Sequence, residues 1–316
     1  MTARLEYGSA ICLIAALVDD RARRAGLRVL FVKGPFFAAL GVRPPKTSLD
    51  LDVILHPDDM GSFVRLLTGE GWRLRDDLRA VLPFEEHSVT LLHGFWPSSV
   101  DAHRYWPGLL GDPRAAFERL WERHEEVTLS TGRFAVPQWT DAAVLQAVNE
   151  IRGGLSRASG VRDVAQLARE KLGPGAGPIM ARQCRELRAE LSAGPMLELL
   201  GETVTIPSPP PPGYREWLRR IDAEDRSATA WILRMRDEPP WRWPAHLLAA
   251  LALRPSQLRA LRPEARPGVR GFLDAWWARA TKGGHDLAHA RKALRRSVPS
   301  QRGRGARCGE DGGGDD

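Results

Sequence analysis

The stretch KTSLDLDVIL, residues 46–55, sets two carboxylates, Asp50 and Asp52, two positions apart in a run of strand-forming aliphatics. In a β-strand successive side chains alternate faces, so Leu49, Leu51 and Val53 point one way and Asp50, Asp52 and Ile54 the other. One face is then apolar and buried, while the other presents paired charge. An ordinary half-solvated strand would read this way, and so would a metal site awaiting a third ligand. The surrounding sequence decides between them.

Upstream, apolar residues at helical spacing (Leu5, Ile11, Leu13, Ile14, Leu17, Val18) predict a helix over 3–25, stopped at Gly26. LRVLFV, residues 27–32, is a strand candidate that runs into KGPFFAALG, where Gly34 and then Pro35 suit a strand-to-helix turn. Downstream, HPDDMGSFVRLLTGEGW supplies a helix with Phe63, Leu66 and Leu67 inward. HSVTLLH (87–93) and SSVDAHRYW (98–106) are two further strands, so a small mixed sheet with helices packed on it is expected.

The third carboxylate is Asp101, with His103 on the same face of its strand. If that strand lies beside the first, Asp50, Asp52 and Asp101 converge as hard oxygen donors of the kind Mg²⁺ takes, with substrate phosphates and waters completing its shell. The turn at Lys33 and Gly34 precedes both acidic strands. Free N–H groups at the start of the following helix would favour an anion, and Lys33 adds a point charge suited to a triphosphate. Each element alone is weak; their order is what is specific.

That order resembles the uncharacterised nucleotidyltransferase-like family of the polymerase-β superfamily, with a Lys-Gly turn, an Asp-hydrophobic-Asp strand and a later hydrophobic-Asp-hydrophobic-His element. The helices around GVRDVAQLARE are similar too, so the resemblance spans about residues 10–205. It implies a nucleotidyltransferase core that moves an NMP from an NTP to an acceptor with release of pyrophosphate. By matching position it puts the nucleotide phosphates at Lys33 and Gly34, with Lys46 and Ser48 beside them. Mg²⁺ or Mn²⁺ falls at Asp50, Asp52 and Asp101, which with His103 make up the expected catalytic set. Where the family usually carries arginine, four residues before the first acid, this chain has Lys46, which cannot fork onto a phosphate; Arg43 is a nearby substitute. His103 is read as orienting the acceptor, relaying its proton or serving structure alone, and His87 as a further candidate for the site.

The fold class expected is α/β of the α+β kind: a mixed-sheet core with its N-terminal helix over 1–137 and a helical domain over 138–205. A proline-rich linker follows at 206–213, then a basic Trp/Arg-rich helical region at 214–296 and a disordered tail at 297–316. A surplus of eight positive charges in residues 251–300 and a deficit of one in 301–316 account for the whole net charge of +7. The high pI therefore says nothing of the first domain; a solvated basic helix face or a contact with an acidic partner explains it. Tryptophans in PPWRWP and DAWWAR read as core or interface anchors. His285 and His289 of HDLAH lack a third ligand and the glutamate base of a zinc protease. Three scattered cysteines (Cys12, Cys184, Cys308) suggest no disulfide framework, and no apolar run reaches the roughly 20 residues of a membrane span, so a cytoplasmic location is expected. The alternative to an NTP-using enzyme is a non-catalytic nucleotide-binding or adaptor module, and RNA-directed transfer is a third reading.

Overall fold

A computed structural model of the 316-residue chain describes residues 6–75, 86–153, 158–223, 227–236 and 238–246, with isolated positions between 268 and 281. Helix α1 (Tyr7–Arg24) ends with three arginines in its last turn, favourable at the negative end of the helix dipole, and with Gly26 at φ 67°. It is followed by β1 (Val29–Val32), the short α2 (Gly34–Ala39), β2 (Asp50–Leu55) and α3 (Met60–Gly69). Then come β3 (Arg73–Leu74), β4 (Ser88–Leu92) and β5 (Ser99–His103).

These strands form one five-stranded sheet in the order β1-β2-β5-β4-β3, with β2 and β5 parallel and the other pairs antiparallel. The mixed sheet matches the sequence expectation. One face, carrying Leu51, Val53 and Leu55, packs against Ile11, Ile14 and Val18 of α1 and Phe63 and Leu67 of α3. Leu13 of α1 and Leu49, expected to turn inward, are exposed instead, and Leu66 is only half-buried.

The opposite face is also covered. Helix α4 (Pro113–Glu122) is capped by Asp112 and buries Phe117 and Leu120 there, and the hairpin that follows, β6 (Glu125–Leu129) and β7 (Gly132–Val136), returns to the first face, where Phe134 packs against Phe31 and Phe36 at centroid distances of 5.1 and 5.4 Å in the core of Leu51 and Val53. Beyond it, α5 (Trp139–Arg152), α6 (Ala158–Leu172), α7 (Ala176–Glu186) and α8 (Gly194–Leu199) bury Leu30, Val32 and Ile54 in a second core. Helix α5 is apolar nearly all round, as a helix wedged between layers must be. The strand of Asp50 and Asp52 is thus buried on both faces, whereas the alternation suggested one.

The proline-rich stretch leads into α9 (Pro212–Ala223), whose Tyr214 and Trp217 are buried in the same second core. Gly108, at φ 101°, admits that contact: a Cβ there would lie 2.2 Å from Val148 and 3.1 Å from Trp217. After α10 (Ser227–Arg236) the described tryptophans of PPWRWP and DAWWAR do not take the core role, one of the two expected of them. Trp241, Trp243 and Trp277 are exposed, so none of these three anchors a core. His285, His289 and the tail lie outside the described residues.

Candidate functional site

Parallel pairing of β2 with β5 sets Asp52 opposite Asp101 and Ile54 opposite His103. Residues directly across a ladder share a face, so the two strands carry their polar side chains to one side of the sheet. Antiparallel pairing adds Val32 opposite Asp52 on one flank, and Thr90 and Ser88 opposite Asp101 and His103 on the other. Asp52, Ser88, Thr90 and His103 are all buried, an expensive set to take out of water unless each is bonded.

Asp52 is the hub. Its Oδ1 accepts from Lys33 Nζ at 2.5 Å and lies 2.9 Å from His103 Nε2. Burial pushes its carboxyl pKa up, but the Lys33 charge and the bonds from His103 and Lys33 outweigh that and hold it at about 2. His103 is driven the other way: burial lowers its pKa below the usual value more than the Asp52 bond and charge raise it. A neutral imidazole at pH 7 follows, with Nε2–H donating to Asp52, and its buried Nδ1 has no hydrogen-bond partner among the described residues. Trp106 closes the floor. Its ring lies 4.9 Å from His103 and 5.0 Å from the Lys33 ammonium, and its Nε1–H donates to the Leu145 carbonyl in α5.

Lys33 reaches Asp52 through an unusual backbone. It sits at φ 55°, left-handed and costly for a side chain that is not glycine, and Gly34 follows at φ 43°. Two successive left-handed residues turn the chain from β1 into α2. Gly34 is buried against Ser48: a Cβ there would stand 2.8 Å from Ser48 Oγ. It does not line the cleft, whereas Lys33, Lys46 and Ser48 do.

The cleft has a volume of about 830 Å³ and opens over the sheet. Its floor holds Asp50, Asp52, Asp101 and His103, and the loop from Val42 to Leu49 brings Arg43, Lys46 and Ser48 to one side. Asp50 is half-buried; burial and the charges of Asp52 and Asp101 raise its pKa, against Lys33, which lowers it. The three sequence-predicted acids are therefore together in one cleft. The tightest group differs, however, from the expected Asp50, Asp52 and Asp101. Ligand atoms of Asp52, Asp101 and His103 lie within 4.8 Å of one another, and the two carboxylates are the hard oxygen donors of that group.

His87, a candidate from the sequence, lines the cleft just before β4, with its Nε2 3.3 Å from Arg152. Several other lining residues were not legible as such, Glu86 beside it among them. Gln146, Asn149, Glu150 and Arg152 come from α5, and Ser159, Gly160 and Asp163 from α6. Arg220 enters from α9, where it bonds Glu216 at 2.7 Å and the Tyr105 hydroxyl at 3.2 Å. Polar positions on the otherwise apolar α5 were the available signal for its share; nothing local marked Arg220. No helix among the described residues is long and apolar enough to cross a membrane.

Comparison with curated protein sequences finds no match. Among solved structures, the antibiotic-resistance factor ANT(2'')-Ia resembles the chain at 13% identity and a TM-score of 0.40, over 60% of this chain and 98% of its own. An antigenic nucleotidyltransferase-like protein from Paracoccidioides brasiliensis does so at 9% and 0.36, over 60% and 93%. A tRNA nucleotidyltransferase complexed with a primer tRNA and an ATP analogue follows at 12% and 0.25, over 88% and 98%. Likeness this loose adds no argument of its own. The profile of the uncharacterised nucleotidyltransferase family, in contrast, matches residues 9–205, most of the chain, and the protein belongs to that family.

Proposed function

We propose that the cleft transfers a nucleoside monophosphate from an NTP to a nucleophilic acceptor, releasing pyrophosphate. The observation that carries this reading is the parallel β2–β5 register, which stands Asp52 opposite Asp101 beneath an open cleft in a chain of nucleotidyltransferase family. Asp52 and Asp101, with Asp50 beside them, would hold divalent cations, Mg²⁺ or Mn²⁺. Such cations, when bound, neutralise triphosphate charge and favour in-line attack at the α-phosphorus.

The chain's own residues then divide the work. Lys33, Arg43 and Lys46 place positive charge along the side of the cleft where a triphosphate would lie, and Ser48 offers a hydroxyl beside them. His103 acts as a positioning residue: neutral and buried, it fixes the Asp52 carboxylate by its Nε2–H. Gly34 holds the turn that aims Lys33. In the absence of cations, Lys33 supplies the charge that Asp52 requires, so the ammonium and a cation compete for the same carboxylate.

The test is pyrophosphate release from the four common NTPs with Mg²⁺ or Mn²⁺ across an acceptor panel. Asp52→Asn and Asp101→Asn should each lower turnover by about a hundredfold or more, since metal and charge stabilisation contribute several kcal/mol to such barriers. Variants that fold as judged by circular dichroism yet turn over like the parent would refute the assignment.

A further inference from the structure

Resting on the transferase reading, a second feature of the cleft bears on the acceptor. The wall facing the sheet is built from α5 and α6, and it is a wall of hydrogen-bond acceptors. Gln146, 3% exposed, donates from Nε2 to Glu150 Oε1 at 2.6 Å; that bond orients the amide and leaves the buried Oε1 with no partner among the described residues. Glu150 is bonded to that neutral amide alone among the described residues, so its charge is uncompensated there. Its carboxylate lies against α6 in the space Gly160 leaves: a Cβ on Gly160 would lie 2.6 Å from Oε2. Asp163, one turn further along α6, adds a second, solvent-exposed carboxylate at the mouth of the cleft. The nearby guanidiniums are directed elsewhere, Arg152 to His87 and Asn149 and Arg220 to Glu216 and Tyr105.

An unbonded buried acceptor is costly unless a ligand supplies the donor. Glu150 beside it, without an ion pair among the described residues, and the solvated Asp163 carboxylate favour a donor that is also positive over a neutral hydroxyl. We infer that Gln146, Glu150 and Asp163 form the acceptor subsite, and that the acceptor is a hydroxyl-bearing molecule carrying a protonated amine, which this wall grips while the hydroxyl faces the acids of β2 and β5. Its sign is opposite to that of the Arg43 and Lys46 side, so the two substrates would be sorted by charge to opposite walls of one cleft.

The experiment is calorimetric titration of the full chain, without nucleotide or metal, with glucosamine and spermidine and with their N-acetylated counterparts. Both amines should bind, and acetylation, Glu150→Gln, Asp163→Asn or Gln146→Leu should each weaken binding about tenfold or more, the scale of one lost charge-assisted hydrogen bond. Glu150→Gln and Asp163→Asn conserve shape, so a loss there reports charge and not misfolding. Equal affinity for acetylated and free amines, or amine affinity unchanged in both carboxylate variants, would overturn the inference. Pyrophosphate release is read separately. Amine binding without turnover of any NTP would count against the transferase and leave the subsite standing, while turnover with neutral acceptors preferred would do the reverse.

Discussion

Lys33 and Asp52 form a buried pair whose two halves should fail unequally. Lys33 is 16% exposed and Asp52 only 5%, with 2.5 Å between Nζ and Oδ1. Removing the cation by Lys33→Met strands a carboxylate that burial already pushes toward the protonated form, and breaking a buried pair in this way costs about 3–5 kcal/mol. Asp52→Asn should cost less, about 1–2 kcal/mol, because the longer lysine can swing its ammonium toward water. The double variant removes both charges, so its loss should fall short of the sum by about 2 kcal/mol. Urea denaturation in chelator at pH 7.5 measures all three, and additivity within about 0.5 kcal/mol would refute the claim that the pair is coupled. The pH dependence offers an independent check. Because Asp52 titrates at about 2 in the fold against an ordinary 3.8, a contribution of about 2 kcal/mol is present above pH 3.8 and lost as pH falls toward 2. The stability difference between parent and Asp52→Asn should shrink over that window, and in Lys33→Met the Asp52 carboxyl should titrate above 3.8 by carbon NMR.

Gly34→Ala should destabilise the chain by about 1–3 kcal/mol, since it places a Cβ at φ 43° and 2.8 Å from Ser48 Oγ; a Ser48→Gly background should relieve the contact and keep the backbone strain. Denaturation midpoints unchanged in both backgrounds would show that the turn is not strained. Asp141, buried in the first turn of α5 and bonded to Arg123 at 3.1 Å and to Gln183, behaves oppositely to Asp52. Burial raises its pKa to about 6 against the lowering effect of Arg123 and of bonds from Gln138, Gln183 and Arg123. The fold therefore holds its proton more tightly than the unfolded chain does, and stability should decline by ~3 kcal/mol as pH rises from about 4 to about 6. Asp141→Asn should flatten that slope in a pH series of denaturation curves; an unaltered slope would place its origin elsewhere. Trp217→Ala should cost about 3–5 kcal/mol and free α9 from the core, read as faster hydrogen exchange over 212–223. Exchange unchanged there would mean that Arg220 is held in the cleft by something other than this docking.

Much of the sheet was legible because strands and their faces announce themselves locally. Alternation put Asp50 and Asp52 on one face and Asp101 with His103 on one face, and the Lys33-Gly34-Pro35 turn marked the join of strand to helix. The β6–β7 hairpin turns through Ser130 and Thr131, a pair without the Asn-Gly or Asp-Gly signature that marks such a turn in a sequence. Helix α4 does carry a local signal, Asp112 at its cap and Pro113 at its first position.

The sequence by itself determined which side chains a strand shows together, because a period of two is a property of the local backbone. Only the tertiary structure decided what those side chains meet. That β2 and β5 run parallel with Asp52 against Asp101, that Lys33 and His103 share one oxygen of Asp52, and that Gln146, Glu150 and Arg220 face the same cleft are all consequences of pairings between segments 19 to about 170 residues apart in the chain. Such pairings are chosen by the packing of two cores on opposite faces of one sheet, and no local pattern of residues encodes that choice.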